Sequence, residues 1–122
     1  MATALVLPVA AFFLGMGLLG LIAPGKLIAP FGIELGTATA RTEVRAVYGG
    51  FGLATGVLLT LAAFDVGGIR HGVAITVAVA LAGMAFGRLI GRLAERPEKF
   101  YPSSFYLCVE LISAAMLVAV TL

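Results

Sequence analysis

Cys108 and His71 are the only residues of their kinds in this chain, and tryptophan is absent. A lone cysteine excludes an intrachain disulfide, and its apolar neighbours lead us to expect a buried, inert thiol. A lone histidine argues against haem or zinc held by a set of imidazoles, so neither a metal nor any other cofactor is expected. Charge is scarce too: Asp, Glu, Lys and Arg make up 11% of the 122 residues. The first apolar stretch lacks the basic leader and small-residue cleavage site of a signal peptide, and it reads as a retained span.

Apolar residues fill the space that charge leaves. They account for 61% of the chain, and the mean hydropathy is +1.14. A single small soluble core cannot hide that much apolar surface, so lipid must cover the remainder. Four stretches have the roughly 20-residue length that crosses a hydrocarbon layer. The expected fold is therefore all-α: one domain over residues 1–122, with four antiparallel transmembrane helices near 4–23, 42–64, 72–93 and 104–122 in a compact bundle.

Punctuation between the stretches is clear. Pro24-Gly25 ends the first helix, and the segment to Gly36 mixes two prolines and three glycines with large apolar side chains. It is too apolar to float in water and too broken to span. We expect it to lie along the interface or fold back over the bundle mouth, with Phe31, Ile33 and Leu35 dipping in. Thr39 or Thr42 can cap the second helix, and Asp65 to His71 forms a short turn that makes helices two and three antiparallel neighbours. The second polar connection runs from Glu95 to Pro102, and Ser103 or Ser104 begins helix four. Tyr101, Phe105 and Tyr106 suit an aromatic belt there.

Glycines recur at helical spacing. Gly49, Gly52 and Gly56 share a face with Arg45, and Gly83, Gly87 and Gly91 stand four apart on helix three. Tight packing within the bundle accounts for both sets; a face for self-association, or a groove for an acyl chain, is the alternative use.

Lys26, Arg41, Arg45, Arg88, Arg92, Arg96 and Lys99 fall on one side of an up-down bundle, and Arg70 alone falls on the other. By the positive-inside rule the two long connections are cytoplasmic and both termini periplasmic. Topology also explains the net charge of +2, and nucleic-acid binding is discounted. Arg88 lies about six residues before the end of helix three and Glu110 about six after the start of helix four, each about 9 Å in at 1.5 Å per residue. Charges at that depth are costly alone, so an intramembrane Arg88–Glu110 ion pair is expected.

The cluster at this mouth has three readings. In the first, its charges pin helix register and topology. In the second, Glu43, Arg45, Tyr48, Arg88, Arg92 and Glu110 line a wet pocket that binds a lipid headgroup or a small lipophilic anion through surplus arginines. In the third, Glu110 with Glu43 moves protons, as an intramembrane acid-base enzyme or proton-coupled carrier. No nucleophile with a partnered base is present, which favours a non-enzymatic module. Besides the bilayer and a bound lipophile, the expected partners are further copies of the chain or a larger membrane complex, which it would serve as an accessory subunit.

The stretch Arg41-x-Glu43-x-Arg45-Ala46-x-Tyr48-Gly49-Gly50, followed by Gly52 and Gly56, resembles the small bacterial membrane proteins catalogued as domain of unknown function 4345. The likeness covers nearly the whole chain. It implies a four-helix layout in the bacterial inner membrane and implies no reaction.

Overall fold

Proline and threonine set the limits of the first two long helices. In the computed structural model, which describes residues 1–96 and 99–122, helix α1 covers Ala2–Ile22 and stops where Pro24 can supply no N–H to continue it. Pro24 instead opens a short helix, α2, Pro24–Ile28, followed by a tight 3-10 turn at Ala29–Phe31 that Gly32 closes at φ 76°. This segment folds back over one end of the bundle. Ile28 is buried and Phe31 half-buried, whereas Ile33 is exposed and stays out of the protein.

Helix α3 spans Ala38–Ala63 and starts earlier than the apolar pattern suggests. Thr37 caps it, accepting a hydrogen bond from the Ala40 N–H at 3.0 Å, in place of Thr39 or Thr42. With no proline or glycine between Thr37 and Thr42, helix propagates back to the first residue able to cap it. A wide π turn at Arg45–Gly50 interrupts α3. Asp65, in the left-handed conformation at φ 53°, ends the helical hairpin's second arm. Helix α4 covers Arg70–Ala94 and α5 covers Ser103–Val120. Pro97 and Glu98, in the second polar connection, lie outside the described residues.

Contacts at the two ends fix the up-down order. At one end the Thr3 hydroxyl donates to the Ala63 carbonyl at 2.7 Å, so α1 begins where α3 finishes. Arg70 closes the same end: its Nε donates to Ala62 O at 3.1 Å and its Nη2 to Ala63 O at 2.8 Å, while Asp65 accepts from the Arg70 N–H. The one basic side chain set apart from the rest is thus a cap for the last carbonyls of α3. At the other end Arg45 Nε donates to Leu21 O at 3.2 Å, and Arg92 donates to the Ser104 hydroxyl.

Helices α1 and α3 meet backbone to backbone. A Cβ added at Gly17 would collide with the Leu53 backbone nitrogen, and one at Gly20 would lie 2.8 Å from the Gly49 nitrogen. Gly52 and Gly56 face Gly17 and Leu14 across the same seam. The other glycine set behaves differently. Cβ atoms at Gly83, Gly87 and Gly91 would meet nothing within 4 Å, so packing within the bundle does not account for them. These three lie on the outer side of α4, whose inner side is Ala74, Val77, Ala78, Leu81 and Ala85.

Val6, Val9 and Phe13 of α1, Leu59 of α3, Leu81 of α4 and Leu117 of α5 form the centre. Outside it the surface is apolar: Phe51, Phe64, Val79, Phe86 and Ile112 are each more than 60% exposed. All four long helices are long and apolar enough to cross a membrane, with only 22–33% of each apolar window buried inside the protein. Such a surface fits a multi-pass membrane protein. Cys108 is part of it. It is exposed, contrary to expectation, because α5 buries the stripe of Glu110, Ser113, Ala114 and Leu117 and Cys108 stands off that stripe.

In lipid the hydrophobic effect does not drive helices together, so close packing must. Gly17→Leu should therefore lower stability by about 3 kcal/mol or more, since backbone has to move. Gly87→Leu should leave the thermal midpoint of the monomer in detergent within a degree or two of wild type, roughly ±0.5 kcal/mol.

Candidate functional site

Glu110 is a carboxylate on the inward stripe of an apolar helix. The residue is 2% exposed, and its Oε1 accepts a hydrogen bond from Arg88 Nε at 2.9 Å. Helix geometry brings the two together: α4 and α5 run antiparallel, and Arg88 precedes the end of α4 by about the distance that Glu110 follows the start of α5. The guanidinium carbon of Arg88 lies 5.7 Å from the ring centres of both Phe31 and Tyr106, which are themselves 5.5 Å apart. Two aromatic faces and one carboxylate thus surround the cation, each replacing part of its hydration.

This pair stands in the wall of a cavity of about 350 Å³. Phe12, Phe13 and Met16 of α1, Leu81 and Met84 of α4, and Leu27 and Ile28 of the fold-back segment give it an apolar lining. Its polar contributors are Tyr48, Arg88, Tyr106 and Glu110. The α1 residues Ala11, Gly15 and Leu19, together with Met84, also line it and are exposed, so it opens sideways between α1 and α4 through apolar surface. Beyond Phe31 a second hollow of about 400 Å³, bordered by Lys99, Tyr101 and Ser103, opens at the mouth of the bundle.

Of the six residues suggested as ligand-binding, the fold gathers three and disperses three. Tyr48, Arg88 and Glu110 share the cavity. Arg45 is held on the Leu21 carbonyl and Arg92 on Ser104; neither lines it. Glu43 is exposed and forms no hydrogen bond or salt bridge with a described residue, so it does not join Glu110 in an acid-base pair. The arginines thought to be in surplus have carbonyl or hydroxyl partners, and Arg41 likewise donates to Leu35 O at 3.3 Å. Among the described residues no three His, Cys, Asp or Glu side chains converge as metal ligands.

Tyr106 and Phe31 are the additions. Tyr106 turns inward from the expected belt, and its position one helical turn before Glu110 was the available signal. Met84 precedes Arg88 by the same spacing. Nothing in the sequence pattern pairs Phe31 with Arg88, because the contact depends on how the proline-rich segment folds back.

The model of one family, described as a domain of unknown function (DUF4345), matches residues 1–121. The chain belongs to the DUF4345 family. No curated protein and no solved structure matches it. In this DUF4345 chain the charged start of α3 and the Arg88–Glu110 contact lie at one end of the bundle, and Tyr48 of α3 lines the same cavity as that contact.

Removing one partner of the salt bridge should cost more than removing both. Glu110→Gln and Arg88→Met should each lower stability by about 1–3 kcal/mol, and Arg88→Met with Glu110→Leu should recover at least half of the summed loss. Thermal midpoints of the four proteins in one detergent form the double-mutant cycle, and additive losses would count against coupling.

Proposed function

We propose that this protein is a non-enzymatic membrane module that holds a lipid chain or a small lipophilic molecule in the cavity between its helices. The observation that carries the reading is the cavity itself: about 350 Å³, apolar, with a salt-bridged pair in its wall and an opening through exposed apolar side chains. Ligand sites share that size and that combination of apolar lining with a few convergent polar groups. In a bilayer the opening between α1 and α4 faces acyl chains, which gives a lipophile a route that never crosses water. On this reading the Arg88–Glu110 pair is an intramembrane ion pair, the basic mouth is cytoplasmic, both termini are periplasmic, and the membrane is the bacterial inner membrane.

Gly15 supplies the test. It lines the cavity, and a Cβ built there meets nothing within 4 Å, so a leucine can fill the space without moving backbone. Native mass spectrometry from mild detergent should show a small-molecule adduct on wild type that Gly15→Leu loses while keeping the wild-type thermal midpoint. An adduct retained by the variant would place the ligand elsewhere.

A role as accessory subunit has its own support in the open face of α4. Gly83, Gly87 and Gly91 there are joined by Phe86, Ile90 and Leu93, all exposed. If a partner helix uses that face, Gly83→Leu and Gly87→Leu should shift the assembly to smaller species in native mass spectra and leave the adduct in place.

A further inference from the structure

The geometry points to an uncharged, hydroxyl-bearing lipophile as the occupant of this cavity, its hydroxyl set against the Arg88–Glu110 pair; the inference rests on the cavity being the binding site. Three observations carry it. First, the charges in the lining cancel, because among the described residues Arg88 and Glu110 are the only ionised ones there and they face each other at 2.9 Å. Of the other cations of this end, Arg41, Arg45 and Arg92 are bound to Leu35, Leu21 and Ser104 outside it, and Lys26, Arg96 and Lys99 stand outside its lining. An anion would enter an apolar space that offers it no net countercharge.

Second, the carboxylate is only half used. Glu110 Oε1 is taken by Arg88, and Oε2 has no hydrogen-bond partner among the described residues. No buried side-chain oxygen or nitrogen among those residues lacks a partner, so Oε2 keeps part of the slight exposure of Glu110, a residue of the cavity lining. That oxygen is an acceptor and needs a donor. A carboxylate, sulfonate or phosphodiester head would bring only acceptors against it, whereas a hydroxyl brings one donor.

Third, the opposite requirement is met beside it. Arg88 spends Nε on Glu110, and its terminal nitrogens keep donors that no described residue accepts. A hydroxyl is both donor and acceptor, so a single head group satisfies both sides of the pair, with the phenols of Tyr48 and Tyr106 in the same lining. The apolar remainder of the cavity takes the chain, which arrives from the bilayer through the Gly15 side.

Three probes that share one decyl chain separate the outcomes: decanol, decyl methyl ether and decyl sulfonate, titrated onto the full chain in nanodiscs and quantified by native mass spectrometry. Decanol should bind roughly tenfold or more tightly than either, because the ether lacks the donor and the sulfonate opposes Oε2. Glu110→Gln, which leaves Arg88 uncompensated, should reverse the order and favour sulfonate over decanol. Sulfonate bound as well as decanol by wild type, or ether bound as well as decanol, would overturn the inference while leaving the cavity as the site. Equal binding of all three by wild type and Gly15→Leu would remove the cavity reading itself. Should Glu110→Gln not fold, the wild-type series decides alone.

Discussion

A carboxylate with almost no exposure, surrounded by apolar helices, must have its charge balanced within reach, and this requirement organises one end of the protein. Glu110 obtains that balance from Arg88. The constraint propagates outward: α4 and α5 must keep the register that sets the two residues level, and Arg88 in turn draws Phe31 and Tyr106 around it. The fold-back segment is tied to the bundle through Phe31, so a single charge joins the α4–α5 hairpin to the connection between α1 and α3. Loss of the pair would loosen register and roof together.

The other half of the bundle is held by a different force. Helices α1 and α3 approach until glycine backbones touch, which yields dense dispersion contact in a setting where water exclusion contributes little. Arg45 and Thr3 then tie the two ends of that hairpin through helix carbonyls. Because α1 leans tightly on α3, it stands away from α4 and α5 over part of its length. Phe12, Met16, Leu81 and Met84 border the space left between them without filling it. The cavity is thus a consequence of unequal spacing: a glycine seam on one side of α1 and larger side chains on the other.

The same contrast explains why glycine patterns were read unequally well. Spacing of three and four identifies a smooth face, and both glycine sets have one. Whether a neighbour occupies that face depends on helix rotation, which the periodicity of α4 does not reveal when nearly every position is apolar or small. Cys108 and Tyr106 illustrate the same limit on α5: one points out and the other in, although both sit among apolar neighbours. Likewise Arg45 and Arg92 were legible as charges at a mouth, yet their partners are a helix-end carbonyl and a hydroxyl that only the folded chain brings near.

Composition and segment length decided that the chain is helical, apolar on its outside and long enough in four places to cross a membrane, since twenty apolar residues have few other fates. Sequence offset also decided that Arg88 and Glu110 share a level, because a helix advances by a fixed rise and the two helices run in opposite directions. Tertiary structure alone decided that Glu43, Arg45 and Arg92 stand apart from that pair, that Phe31 and Tyr106 join it, and that a cavity lies beside it. Rise along an axis is local and readable from the chain; rotation about the axis and the gap between helices are set by which surfaces meet.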